Sequence, residues 1–243
     1  MRIVLHAHSN WSYDGSWTLP QIARLYGALG VQAVMMTEHD TGFDPDRFED
    51  YRAACIASST DRCRLVPGIE YSSPDNDIHI LTWGLGTFLA EHRPTGETLE
   101  AVHAAGGAAI FAHPIRRNAW SKFDSRWVPY LSAIELWNRK SDGITISPTA
   151  LELIRATRLP ASVGQDFHKL RHVYPLTMQA PIPLGADDLE AALVKALRDG
   201  RMQPQAFRRP VLGPDGTPRV GVHDILEKGR RVARDLRDRI HRR

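Results

Sequence analysis

Seven short apolar runs rich in β-branched residues recur between residues 2 and 167, at 2–8, 33–39, 65–71, 77–83, 108–113, 133–137 and 161–167. Helical spacing marks 19–29, 46–58, 95–105, 148–158 and 187–198. Such alternation is the signature of repeated βα units and a mainly parallel sheet. Thr18 before Leu19-Pro20 and Ser147 before Pro148 mark helix starts, where a hydroxyl caps and proline suits the first turn. The expected fold is therefore α/β, a closed or nearly closed barrel of about seven strands with helices around it.

A chain of 243 residues, 42% of them hydrophobic, can bury one large core without staples. No run of eighteen apolar residues occurs, and the amino terminus carries His6, His8 and Asn10 where a secretion signal would be apolar. A cytoplasmic protein with no membrane partner is expected. Cys55 and Cys63 read as ordinary thiols, which leaves neither a disulfide framework nor thiolate ligation. Residues 1–200 hold 19 basic and 23 acidic side chains, whereas residues 201–243 hold 12 and 5. That places a catalytic barrel at 1–212 and a linker with a basic tail at 213–243. The linker is the turn-rich run Gly213-Pro214-Asp215-Gly216-Thr217-Pro218, and Val222, Ile225, Leu226, Val232, Ala233, Leu236 and Ile240 then recur as in an amphipathic helix. That stripe suits packing on the barrel better than pairing with a second copy, and oligomeric state stays open.

Ionisable residues cluster at the ends of the expected strands. The first ends in His6-Ala7-His8, the second in Glu38-His39-Asp40 and the third in Glu70; the fourth contains His79. Later strands lead to His113, to Glu135 and to Asp166-Phe167-His168. In parallel α/β barrels the carboxyl ends of the strands form the active face, so these side chains should converge. The period of two puts His6 and His8 on one side of their strand, and Asp166 and His168 repeat it. With Asp14, they suit a metal site; nitrogen and oxygen donors without cysteine fit Zn, Mn or Fe alike. His92, His103, His172, His223 and His241 read as ordinary hydrogen-bonded or surface residues.

These motifs resemble the PHP (polymerase and histidinol phosphatase) superfamily from His6 to His168. The likeness lies in His6-x-His8 with Ser12-x-Asp14-Gly15, Thr37-Glu38-His39-Asp40, Gly68-x-Glu70, His79-Ile80-Leu81, Ala112-His113-Pro114 and Asp166-x-His168. Val4 and Gln165 stand where many relatives have an acid and a serine. The resemblance implies a distorted (βα)7 TIM-like barrel with two or three divalent ions at its mouth. It implies one ion on His6, His8, Glu70 and Asp166, a second on Asp14, His39 and His168, and a third on His79 and His113 with Glu70 bridging.

Clustered ions lower the pKa of a bridging water and neutralise phosphate oxygens, so no protein nucleophile is needed. Cationic loop residues Arg116, Arg117, Lys169 and Arg171 are candidates for holding the phosphate, Arg116 and Lys169 first. The leaving oxygen has three candidate proton donors: a metal-bound water, the His39-Asp40 pair and His168. Glu135 and Asn138 suit pocket lining or strand-end bonding equally, and Trp11, Trp17, Trp120 and Trp137 suit rim packing or stacking on a flat substrate. The expected activity is hydrolysis of a small phosphorylated metabolite or nucleotide. The alternatives are exonuclease-like cleavage of nucleic acid, for which the tail supplies charge, and a metal-stabilised regulatory module without turnover.

Overall fold

The structure, a computed structural model, describes residues 1–183, 185–219, 221, 224–227, 229 and 232. Most of the expected carboxy-terminal helix, with His223 and His241, lies outside the described residues. No helix among the described residues is long and apolar enough to cross a membrane.

Among the described residues, twelve strands form two six-stranded sheets. In the first, β1 (Arg2–Leu5) pairs in parallel with β2 (Ala33–Met35), which pairs in parallel with β4 (Arg64–Val66). In the second, β3 (Glu38–His39) pairs with β5 (Gly68–Ser72), followed by β6 (His79–Trp83), β7 (Ala108–Phe111), β8 (Ala133–Asn138) and β9 (Ala161–Gly164). Two of the expected strands are thus each broken in the middle. Pro67, with no N–H to donate, separates β4 from β5. Met36 lies between β2 and β3, and the Trp83 indole donates to its carbonyl at 2.8 Å. Gly68 makes room for that ring, because a Cβ there would lie 2.3 Å from it.

The expectation of a mainly parallel sheet is corrected, since five of the ten strand pairings among the described residues are antiparallel. Strand β6 runs antiparallel to both β5 and β7. The connection from Ser72 to His79 is a short turn, too short for the crossover that a parallel pair needs. His79 therefore begins its strand at the end where the neighbouring strands finish, opposite Ser72. Three further strands were not foreseen: β10 (Leu176–Gln179), β11 (Gln203–Ala206) and β12 (Arg209–Pro210) extend the first sheet antiparallel beyond β1.

The two sheets meet beside β1. Ala7 and Phe167 form a parallel bridge, Gln165 donates its N–H to Leu5 O at 3.1 Å, and Phe167 donates to His6 O at 3.1 Å. Helices α1 (Leu19–Ala28), α2 (Phe48–Ser58), α3 (Thr95–Ala104), α4 (Pro148–Thr157) and α5 (Leu189–Arg198) match the expected spans within a few residues. The Ser147 hydroxyl caps α4 by accepting from Ala150 N–H at 3.2 Å. Ile3, Leu5, Val34, Ile110, Ile134 and Leu136 are among the fully buried side chains of the core, consistent with strands covered on both faces. The turn-rich run after residue 212 folds back on itself, with Gly213 N–H bonded to Thr217 O at 2.7 Å.

Candidate metal centre

Two strand ends lie side by side across the Ala7–Phe167 bridge. Ala7 and Phe167 are fully buried, and Phe167 packs edge-on against Trp17 and Tyr26 with centroids 5.6 Å away in each case. His6 and His8 flank one bridge residue; Asp166 and His168 flank the other. Their side chains gather on one side, as the alternation of a strand suggests, but the backbone achieves this differently. His6 has φ 65° and Asp166 φ 49°, both in the left-handed region, as is His113 at 26°. Such conformations cost about 1–3 kcal/mol each for a side-chain-bearing residue and gather at functional sites.

Glu70 occupies the middle. Its Oε2 lies 3.4 Å from His6 Nε2, 3.3 Å from His8 Nε2 and 3.2 Å from His39 Nδ1. Its Oε1 lies 2.6 Å from His79 Nδ1 and 3.0 Å from His113 Nε2. Asp166 Oδ1 is 3.7 Å from His6, 3.6 Å from His8 and 3.2 Å from His168. Asp14 closes the outer side, 3.4 Å from His39 and 3.0 Å from His168. All nine residues singled out in the sequence are therefore brought together. Eight of them are buried, and Asp14 is the partly exposed exception.

Burial alone would raise the Glu70 carboxyl, but the charges of His79 and His6 and the bond from His113 outweigh it and hold it well below the usual range. Asp166 is likewise held low against burial, by His6 and His168. Burial would lower His168, yet its bonds to Asp14 and Asp166 push it up to about 9. His8 is driven down by burial and by the neighbouring His39. So many mutually dependent charges in one dry space are what cations would relieve.

The donor set fits divalent ions. Three groups place one ligand atom per residue within 4.8 Å of the others: His8, His39 and His168; His6, Glu70 and His113; His6, His8 and Asp166. His8 Nε2 and His39 Nε2 are buried without a hydrogen-bond partner among the described residues, as lone pairs awaiting a cation would be. The grouping differs from the sets implied by resemblance, since Asp14 and His79 adjoin these groups without joining them. His79 turns Nε2 outward, 2.7 Å from Asn76 Oδ1 and 3.0 Å from Arg116 Nη1.

A second layer orients the first. Glu135 Oε1 is 3.1 Å from His6 Nδ1, and its Oε2 accepts from His113 N–H at 2.7 Å and Asn138 Nδ2 at 3.0 Å. The strand-end alternative for Glu135 and Asn138 thus describes them, with the bonds directed at donors of the centre. Gly164 permits this, because a Cβ there would fall 1.8 Å from Glu135 Oε1. Glu38 accepts from Ser9 N–H, from the Ser9 hydroxyl at 2.7 Å and from the Ser12 hydroxyl at 2.6 Å, and Ser12 Oγ accepts from His39 N–H. Gln165 faces away, bonded by Tyr26 OH at 2.8 Å and donating to Tyr174 O at 2.7 Å, and Val4 lies in the core.

The candidates for acting on substrate divide. Asp40 is buried and accepts from Ser72 N–H at 3.0 Å and His92 N–H at 3.1 Å, so its carboxylate ties the end of β5 to the loop at His92. Arg116 reaches the centre at His79, whereas Arg117 pairs with Asp77 at 3.7 Å. Lys169 is exposed, and no hydrogen bond or ion pair joins its ammonium to the nine among the described residues. His172, read as ordinary, is buried and accepts at Nδ1 from His168 N–H at 3.1 Å. Lys140 was overlooked: its Nζ lies 3.3 Å from Asp166 Oδ1 and 3.2 Å from His168 Nε2. It follows Asn138-Arg139 at the end of β8, so the rule that picked out Arg116 would have found it. Tyr13, also overlooked, is 71% exposed and stacks on His39 with centroids 5.1 Å apart.

No family model and no curated protein matches the sequence. Solved structures do. The chain superposes on a two-domain protein containing a PHP-like metal-dependent phosphoesterase from Bacteroides vulgatus, with TM-score 0.61, 16% identity, and 87% of this chain and 65% of that one covered. The two share a fold. A protein from Bifidobacterium adolescentis, described as a metal-dependent phosphoesterase by assignment only, matches with TM-score 0.52 and 16% identity, over 80% of this chain and 96% of that one. The lesion-specific endonuclease EndoQ from Pyrococcus furiosus matches with TM-score 0.56 and 16% identity, over 87% of this chain and 57% of the endonuclease. The chain thus spans less than two thirds of the Bacteroides and Pyrococcus proteins.

Proposed function

We propose that the protein is a metal-dependent phosphoesterase acting on a small phosphorylated metabolite or nucleotide. The observation that carries this reading is the convergence of six buried imidazoles and two buried carboxylates on one dry centre within a PHP fold. On this reading the two sheets act as one distorted (βα)7 barrel over residues 1–212, with 213–243 appended. His6, His8, Asp14, His39, Glu70, His79, His113, Asp166 and His168 are the residues that would hold two or three divalent ions. Bound there, Mn, Fe or Zn would supply Lewis acidity and activate water for attack on phosphorus.

The chain's own residues do the rest. Glu135 fixes the tautomer and direction of His6, and Glu38 with Ser12 fixes the segment bearing His39. Arg116 presents a guanidinium at the edge of the centre, where it can neutralise a phosphate oxygen. Asp14 and Asp166, one at each ring nitrogen, would hold His168 in the orientation it needs as a donor to the centre. Asp40, bonded to two backbone N–H groups, serves the loops around the centre.

A panel of phosphomonoesters, phosphodiesters and nucleotides, offered to protein loaded with Mn²⁺ and to protein stripped by chelator, tests the reading. Hydrolysis should appear only in the loaded protein; none across the whole panel would refute it. The likeness to the Pyrococcus endonuclease favours nucleic acid as a second reading. In that case deleting residues 213–243, with their basic excess, should weaken binding to single-stranded DNA and flatten its salt dependence.

A further inference from the structure

We propose that Lys140 is the residue that positions the substrate's phosphate, and that it favours a terminal phosphate over an internal diester. The inference rests on the phosphoesterase reading above and adds to it the class of ester.

Lys140 sits on a braced turn. Asn138 Oδ1 accepts from Ser141 N–H at 2.8 Å, and Asp142 Oδ2 accepts from Asn138 N–H at 2.7 Å. The base of the side chain is therefore held while the stem extends over the centre. The side chain is 39% exposed, yet its ammonium lies against two buried residues, Asp166 and His168. It stands between the donors and solvent. Arg116 holds a different position, at His79, and is tied there by the Asn76 carbonyl at 3.1 Å.

The partners of the two cations decide their roles. Arg116 keeps its carbonyl whatever occupies the centre. Among the described residues Lys140 is bonded only to groups that would turn their lone pairs toward cations. Once Asp166 and His168 do so, the ammonium faces like charge and loses both acceptors. An anionic oxygen arriving at the mouth restores them, and a lysine, a point charge on a flexible stem, can follow that oxygen. A terminal phosphate carries up to one more negative charge near neutral pH than a diester, so it gains more from this extra cation.

The test compares wild type, Lys140→Met and Lys140→Arg, all loaded with Mn²⁺. The substrates are p-nitrophenyl phosphate and bis(p-nitrophenyl) phosphate, and inorganic phosphate binding is measured by calorimetry. Lys140→Met should keep its metal, raise KM for the monoester about tenfold with a smaller change in kcat, and weaken phosphate binding by a similar factor. The diester should change less, and Lys140→Arg should recover part of the loss. Unchanged KM and phosphate affinity would overturn the proposal, as would equal losses on both esters or loss of metal from Lys140→Met. Wild type that binds phosphate through Lys140 but cleaves neither ester would leave the anchor standing and refute the phosphoesterase reading. Wild type that binds no phosphate overturns the anchor.

Discussion

Glu70 on β5 and the pair Glu38 and Asp40, on and just after the neighbouring β3, are equally buried and live in opposite surroundings. Glu70 faces the imidazoles of His6, His8, His39, His79 and His113. Glu38 and Asp40 meet mainly backbone N–H groups and hydroxyls, donors that hold a carboxylate in place and offer nothing to a cation. Burial raises the Glu38 carboxyl despite its bonds to Ser12 and Ser9, whereas Glu70 is pulled down. A buried acid is thus a scaffold or a ligand according to its partners, and the two can stand one strand apart.

The sharpest break in that comparison is Glu70→Ala, which should lose more than one bound ion and bring hydrolysis below detection, measured by elemental analysis and turnover together. One layer out, Glu135→Gln should weaken metal affinity by about 10–100-fold, read by competition with a chelating dye, because His6 loses its orienting partner. Gly164→Ala pushes a methyl into the same carboxylate and should lower stability by about 1–3 kcal/mol in denaturant titration. Asp40→Ala should cost stability of similar size, since it removes the oxygen that accepts from both N–H groups, while metal content stays full. A loss of metal there would erase the distinction between scaffold and ligand. The smallest effect concerns the thiols: burial pushes Cys63 up to about 12, so at pH 8 it remains protonated. Cys55 is raised as well, by burial and by Glu38. Both should resist alkylation in the native protein and react promptly after unfolding.

The convergence of the nine residues was legible because they come at the ends of apolar runs, where chain position predicts spatial position. What escaped were features that depend on partners far along the chain. The antiparallel course of β6 was readable from the five residues between the runs 65–71 and 77–83, too few for a parallel crossover, whereas β10 to β12 lack the apolar runs of the others. The contacts of Asp40 and Lys140 were hidden for the same reason, since each depends on which groups the fold brings to it and not on its own motif. The left-handed turns at His6 and Asp166 replace the regular alternation from which their common facing was inferred, and still deliver both pairs to the centre.

The central claim is that these donors hold a cluster of ions. Its most direct test is the metal stoichiometry of the wild-type protein, equilibrated with Mn²⁺, Fe²⁺ or Zn²⁺, desalted and analysed by plasma emission. More than one ion per chain is expected with at least one of the three metals; protein that retains none would contradict the account.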